Sequence, residues 1–173
     1  MSSKTNTDIK KRETPNDVFY TPLDLVKIHL DYVKPYVNTG DKILDPFFGT
    51  GNYYNSYEKI FTDENTFDYT EITMGKDFFE YYNPTDVIVS NPPYSMIDKV
   101  LIQSIATGAH TISYLIGMNN LTCKRIELMN NHGYYLDKVY FTKVFKWFGM
   151  SAIVIFTKKA SKNCIDFDRK VWK

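Results

Sequence analysis

Asn91-Pro92-Pro93-Tyr94 follows directly on the apolar run Val87-Ile88-Val89 and so combines a strand end, a stiff turn and an aromatic ring. Asn91 offers a side-chain carbonyl and the Pro92 peptide carbonyl is a second acceptor, while both prolines lack an amide donor and fix the chain locally. Two acceptors that converge on one primary amine, with Tyr94 able to lie against a planar ring, suit a flat amino-bearing group such as a nucleobase or an amide. A structural reading competes, because prolines punctuate strand-to-helix turns and Ser95 with Asp98 has the spacing of a capping box. Upstream, Asp45-Pro46-Phe47-Phe48-Gly49-Thr50-Gly51-Asn52 follows the short apolar Ile43-Leu44. Gly49 and Gly51 have no side chain to block a ligand and reach backbone geometries that other residues resist. A tight turn capped by Asp45 is the plain alternative.

Elements of an α/β sheet are positioned to carry both motifs. Leu23, Val26, Leu30, Val33 and Val37 recur at three- and four-residue steps after Thr21-Pro22, which predicts an amphipathic helix that Pro35 can shorten. Lys42 to Leu44 reads as a buried strand, the Tyr-rich stretch to about Phe61 as a helix, Thr66 to Ile72 as a second strand and Asp86 to Ser90 as a third. Ser95 to about Thr107 is a predicted helix, His110 to Ile116 a strand, Leu121 to about Asn131 a helix, and Leu136 to Val144 and Ser151 to Thr157 two final strands. Strands that alternate with helices and then run consecutively predict a mostly parallel sheet with an antiparallel end.

The chain has 173 residues and 43% hydrophobic content, enough for one core. It divides into a polar tail over 1–13, expected to be disordered, a catalytic domain over 14–158 and a basic tail over 159–173. No apolar stretch approaches a membrane span or a signal core, so a soluble cytoplasmic protein with no membrane partner is expected. Cys123 and Cys164 are too few for a disulfide scaffold or a zinc knuckle and read as reduced thiols. The net charge of +1 hides a division: residues 40–100 carry 4 Lys against 11 Asp/Glu, a balance of −7, and residues 101–173 carry 11 Lys/Arg against 4 Asp/Glu, a balance of +7. A basic second half suits a polyanion, although a solvated Lys-rich surface gives the same count.

Taken together, these motifs resemble those of the amino-methyltransferases that use S-adenosylmethionine. Asn91 to Tyr94 matches the fourth motif of that family, and the loop from Asp45 to Asn52 matches the first, which approaches the methionine part of the cofactor. The resemblance implies a Rossmann-like class I fold with a mostly parallel, seven-stranded type of sheet and helices on both faces. Glu71, twenty residues beyond Gly51, takes the place of the ribose-binding carboxylate, with Asp68 as competitor. Gly75-Lys76-Asp77-Phe78-Phe79 resembles the third motif, which gives Asp77 the adenine amine and Phe78 the ring face; Phe78 or Phe79 as plain core is the alternative. The gap between second and third motifs leaves no room for a full crossover helix, a departure from the family layout. Asp17 to Pro22 resembles the tenth motif, which closes over the methionine end, with Tyr20, Thr21 and Pro22 at the cofactor and Thr21 hydrogen-bonding its carboxylate.

The order of tenth, first and fourth motifs, over roughly residues 16 to 157, matches the DNA adenine-N6 methyltransferases. In that family Asn91 and the Pro92 carbonyl, stiffened by Pro93, hold the adenine amine, and Tyr94 stacks on a base rotated out of its helix. The implied reaction is direct methyl displacement driven by proximity and orientation, with S-adenosylhomocysteine as product and no metal. An RNA adenine methyltransferase and a non-catalytic nucleic-acid-binding subunit of the same fold are the alternatives. Relatives that act on a glutamine amide carry an Asp-Leu-Gly-x-Gly-x-Gly loop and a preceding helical domain, both absent from this sequence. Lys138, Lys143 and Lys146, interleaved with Tyr140, Phe141, Phe145, Trp147 and Phe148, form a candidate lip for nucleic acid, DNA favoured over RNA; a core strand with Lys on its wet face explains them equally. No insertion is large enough for a separate target-recognition domain, so selectivity falls to short loops, to a partner subunit or to a homo-oligomer.

Overall fold

The computed structural model describes residues 20–144 and 149–167. The tail over 1–13, Asp17 to Phe19, and the stretch that holds Lys146 and Trp147 lie outside the described residues. The Pro22 carbonyl caps α1 (Leu23–Val33), accepting from the Leu25 and Val26 amides at 3.0 Å each. Pro35 has no amide to continue the ladder, and the chain tightens into a 3₁₀ turn over Lys34–Tyr36. The buried stripe of α1 is Leu25, Val26, His29, Leu30 and Val33. Leu23, assigned to that stripe by its spacing, is instead exposed in the first turn, and Leu25 and His29 complete the face.

The remaining elements are β1 (Lys42–Asp45), α2 (Tyr54–Ile60), β2 (Thr66–Tyr69), β3 (Val87–Ser90), α3 (Ile97–Ala106), β4 (Thr111–Gly117), α4 (Cys123–Asn131), β5 (Tyr135–Thr142) and β6 (Ser151–Thr157). They form one six-stranded sheet in the order β2-β1-β3-β4-β6-β5. Strands β2, β1, β3 and β4 are parallel, and β6 and β5 close the sheet antiparallel.

Successive strand residues alternate between two cores, as the pleat requires. Leu44, Ile88, Ile112, Tyr114, Val154 and Phe156 meet Ile97, Val100 and Leu101 of α3 and Ile126 and Met129 of α4. Their neighbours Ile43, Val87, Val89, Leu115, Ile153 and Ile155 point the other way, against α1 and the Tyr53 to Phe61 stretch around α2. Both faces of β1, β3, β4 and β6 are therefore covered, which is why these strands read as nearly unbroken apolar runs.

Three differences from the sequence reading have physical causes. No seventh strand exists among the described residues: between β2 and β3 the chain makes only 3₁₀ turns over Ile72–Met74 and Phe78–Glu80 and an isolated Glu71–Lys76 bridge, too little chain for a strand and its crossover helix. The helix expected to start at Ser95 starts later, because a 3₁₀ turn over Tyr94–Met96 puts Met96 at the N-cap of α3, and the Asp98 carboxylate accepts from Arg125 Nε at 2.6 Å. Residues 159–167, assigned to a tail, run back along the hairpin: the Cys164 amide donates to the Leu136 carbonyl, the Leu136 amide donates to Asn163 Oδ1 at 2.8 Å, and Phe167 packs on the core.

Candidate active site

From β1 the chain moves outward to β2 and then returns past β1 to β3, so the crossovers on either side of the β1/β3 pair diverge at the C-terminal strand ends. A crevice must open there, and ligands of open α/β sheets bind in it. A cleft of about 310 Å³ lies at that place. Its walls come from four separate stretches: Pro46, Phe47, Gly49 and Asn52 after β1, Glu71, Asp77 and Phe78 after β2, Asn91 and Pro93 after β3, and Tyr20 and Thr21 before α1. Residues from the stretches around Phe47, Asp77, Asn91 and Thr21 thus face one cleft.

Hydrogen bonds stitch these stretches together. Asn52 Nδ2 donates to the Thr21 carbonyl at 2.9 Å, tying the glycine loop to the segment before α1. The Gly49 amide donates to Glu71 Oε2 at 3.0 Å, and the Thr70 hydroxyl to the Pro46 carbonyl at 2.6 Å, tying the same loop to the end of β2. The Ser90 hydroxyl donates to Asp45 Oδ1 at 2.6 Å, so the residue before Asn91 is bonded to the residue that opens the glycine loop. Gly49 and Gly51 have φ of 53° and 79°. A Cβ on Gly49 would lie 3.2 Å from the Tyr20 ring, and one on Gly51 would collide with Phe48 at 2.6 Å and Asn55 at 2.8 Å. Both positions need glycine for backbone and for space.

The electrostatics of the rim are uneven. Burial pushes the Asp45 carboxyl up to about 7, against the hydrogen bonds of the Ser90 hydroxyl and the Phe47 and Tyr54 amides, which lower it. Asp45 Oδ2 and Thr21 Oγ1 are both buried with no well-formed hydrogen bond among the described residues. For Glu71, burial raises the carboxyl, but the bonds from the Thr73 hydroxyl and amide and from the Gly49 amide outweigh it, so this group stays ionised below the usual range. Asp77 caps the Phe78–Glu80 turn by accepting from the Phe79 amide at 2.9 Å.

Asp68 faces elsewhere: it pairs with Lys42 Nζ at 3.2 Å and accepts from the Tyr81 hydroxyl at 2.9 Å, and Glu71 lines the cleft. Phe78 is buried, stands edge-on to Phe47 at 5.4 Å between ring centroids and also lines the cleft, so it is core and wall at once. Asp45, Pro22, Gly51, Pro92 and Tyr94 do not line it. Asp45, Gly51 and Pro92 are buried around it, Pro22 caps α1 from outside, and Tyr94 packs half-buried on the core. Tyr53 and Met96 line the cleft and were missed; Tyr53 adjoins Asn52 and Met96 closes the turn after Tyr94, so proximity in sequence was their only signal. On the proposed lip, Lys138 is already engaged over the Tyr32 and Tyr36 rings at 5.2 and 5.7 Å, while Lys143 is exposed. Among the described residues no cluster of His, Cys, Asp and Glu is arranged to hold a metal ion, and no helix is long and apolar enough to cross a membrane.

No family model and no curated protein matches the sequence. Solved structures do match. A "putative RNA methyltransferase" from Pyrococcus horikoshii superposes with a TM-score of 0.63 at 13% identity, over 90% of this chain and 96% of that one. Magnesium protoporphyrin IX methyltransferase from Synechocystis, solved with S-adenosylmethionine bound, gives 0.54 at 11% identity over 90% and 92%. The modification subunit of a "putative type I restriction enzyme" from Vibrio vulnificus gives 0.59 at 12% identity over 91% of this chain and 48% of that subunit, about half its length. This chain has the class I methyltransferase fold. The three neighbours bear names that refer to RNA, to a porphyrin and to a restriction enzyme, so the class I fold alone does not choose an acceptor.

Proposed function

We propose that the protein transfers a methyl group from S-adenosylmethionine to the N6 amine of adenine in DNA. The observation that carries this reading is the shared cleft: Asn91 and Pro93 of the acceptor tetrapeptide face the same cavity as the glycine loop, Glu71, Asp77 and Thr21. The cleft fits the cofactor on its own features. Gly49 keeps one wall free of side chain, Glu71 is an ionised acceptor beyond β2 placed for ribose hydroxyls, and Asp77 with Phe78 supplies an acceptor beside an aromatic wall for adenine. Asp45 Oδ2 and Thr21 Oγ1 are buried polar atoms without a well-formed hydrogen bond among the described residues, beside the Tyr54 amide and the Tyr53 hydroxyl respectively, and so have capacity left for a ligand.

When bound, S-adenosylmethionine supplies an electrophilic sulfonium methyl and leaves as the neutral thioether S-adenosylhomocysteine. The residues of this chain hold and aim the acceptor. The Asn91 side-chain carbonyl and the Pro92 carbonyl accept the two amine hydrogens, which draws the nitrogen out of conjugation and turns its lone pair towards the cleft, and once methylated the nitrogen returns to neutral by releasing one of those hydrogens as a proton to water. The Ser90–Asp45 hydrogen bond keeps this turn at a fixed distance from the glycine loop, the positional control that an orientation-driven displacement requires. Tyr94, half-buried on the core beside the cleft, reaches the flipped base only by turning out from that packing.

DNA is favoured by the asparagine-first tetrapeptide and the motif order, and the fold shared with a restriction-enzyme modification subunit agrees with it. RNA is the second reading, supported by the likeness to the Pyrococcus protein over 96% of that chain. Target recognition falls to a partner subunit or to short loops. A tritiated-methyl transfer assay across duplex DNA, single-stranded DNA, RNA and protein, with nucleoside analysis, decides: N6-methyldeoxyadenosine is expected, N6-methyladenosine from RNA supports the second reading, and no transfer to any of them refutes both.

A further inference from the structure

His29 is a polar residue in the apolar stripe of α1, fully buried, and plays no part in the reaction as described. Its two ring nitrogens are both engaged. Nε2 lies 2.7 Å from the Ser113 hydroxyl on β4 and Nδ1 lies 2.8 Å from the Tyr53 hydroxyl. Tyr53 in turn lines the cleft beside the glycine loop, and its ring stands edge-on to the imidazole at 5.4 Å between centroids. Histidine thus connects the middle of the sheet to the wall of the proposed cofactor site.

The direction of these bonds turns on the ring tautomer. The Ser113 hydroxyl has one hydrogen, and where it goes to the Val154 carbonyl, an acceptor 3.1 Å away, Ser113 accepts from His29 and Nε2 carries the proton. Burial lowers the imidazole to about 3, so the ring is neutral at physiological pH and Nδ1 is bare. The phenolic hydrogen of Tyr53 must then point at Nδ1, and the Tyr53 oxygen is left with lone pairs only. Asp45 acts electrostatically on this phenol from one side, and the Thr21 hydroxyl lies close enough to act on it from another while falling short of a well-formed hydrogen bond.

We infer that His29 is a positioning residue which, by taking the Tyr53 proton, makes the wall between Thr21 and Asp45 a hydrogen-bond acceptor pole, selective for the ammonium group of the ligand over its carboxylate. Two oxygens contribute: Tyr53 Oη, left by the wire as an acceptor, and Asp45 Oδ2, which accepts once an ammonium beside it draws the carboxyl to its ionised form. Thr21 Oγ1 lies next to them without a well-formed hydrogen bond of its own. The ligand half of this inference rests on the cofactor reading above, and the wiring half does not.

Two measurements separate the halves. Nitrogen-15 shifts of the His29 ring in the wild-type protein should show a neutral, Nε2-protonated tautomer unchanged from pH 5 to 8. An Nδ1-protonated or charged ring would overturn the wiring, because Tyr53 would then keep a hydrogen for the cleft. Calorimetry is then run with decarboxylated S-adenosylmethionine, which retains the ammonium group, and with 5′-methylthioadenosine, which lacks it. His29→Phe should weaken the first about tenfold and the second less than about twofold. His29→Asn, with an oxygen that can take the Tyr53 proton, should restore most of the loss. Equal losses for both ligands would reduce His29 to packing and overturn the inference. Wild-type protein that binds neither ligand would refute the cofactor reading and the ammonium pole with it, while the ring shifts would still decide the wire. Should His29→Phe not fold, Ser113→Ala serves in its place, since it frees His29 to reverse tautomer.

Discussion

At the N-terminal ends of the parallel strands Asp41 accepts from the Asn38 amide at 2.7 Å and meets His110 Nε2 at 3.0 Å, while His110 Nδ1 lies 2.9 Å from the Thr111 hydroxyl. Asn65 Nδ2 donates to the Asn38 carbonyl, and Lys159 Nζ donates to the Tyr36 carbonyl and to Asn38 Oδ1. At the other end of the same strands Asp45 spends one oxygen on Ser90 and Phe47 and leaves the other buried without a well-formed hydrogen bond, as Thr21 leaves its hydroxyl. The first cluster is a closed network that staples four strand ends. The second is an open one, and a buried polar atom left open costs about 1–3 kcal/mol unless something arrives to bond it. The same sheet therefore has a structural pole and a ligand pole, distinguishable by satisfaction rather than by composition.

The strongest test of this contrast is at the ligand pole. Asn91→Ala should lower methyl transfer by more than about a hundredfold, the scale of removing one aimed polar contact to a reacting group, and leave S-adenosylmethionine affinity within about threefold by calorimetry. Near-normal transfer by that variant would falsify the role assigned to the tetrapeptide.

Asp45→Asn tests the open carboxyl through pH. The folded-state value of Asp45 is raised, so between the ordinary carboxylate range and about 7 the native chain binds more protons than the unfolded one. The contribution is fully present below the ordinary range and lost as pH rises through about 7. Thermal unfolding should show the wild type losing stability relative to the Asn variant over that window; the buried His29, lowered to about 3, acts with the opposite sign across nearly the same range in both proteins, so the difference between them carries the test. A parallel pH course for the two proteins would mean that the Asp45 carboxyl is not held above the ordinary range. Asp68, Glu71 and Asp98 are shifted down and act with the opposite sign at lower pH, so they do not mask the effect.

At the structural pole, Asp41→Ala breaks the closed network and strands its donors. A cost of about 2 kcal/mol is expected, roughly a 4–8 °C drop in Tm for a chain of this size, with cofactor affinity unchanged. A loss of affinity with little loss of stability would dissolve the distinction between the poles.

Much of this arrangement was legible in the sequence because it is local. The glycine loop, the tetrapeptide and the alternation of strand and helix each occupy a few consecutive residues, and β6 was read to the residue at Ser151–Thr157. What escaped is what distance in sequence hides. His29 looks like a flaw in an apolar stripe until Tyr53 and Ser113, 24 and 84 residues away, close around it. The start of α3 lies at Met96 rather than Ser95, and Asp98, expected to serve that cap, is bonded to Arg125, 27 residues on. The seventh strand was an expectation carried by resemblance, and the short chain between β2 and β3 had already argued against a full crossover there.

The smallest effect, and the finest test of the contrast, separates two carboxylates three positions apart along one strand end. Glu71 and Asp68 were indistinguishable by alternation, yet the fold gives each to a different task. Asp68 is paired with Lys42 and Tyr81 away from the cleft, which makes it a partly exposed ion pair worth under about 1 kcal/mol. Glu71 accepts from the glycine loop and still faces the cavity with lone pairs to spare. Glu71→Ala should therefore weaken S-adenosylmethionine binding about tenfold, or about 1.4 kcal/mol, whereas Asp68→Ala should leave affinity unchanged and lower Tm slightly. The reverse pattern would move the ribose contact to Asp68 and require β2 to end one register away from where its pairing with β1, Asp45 opposite Tyr69, now places it.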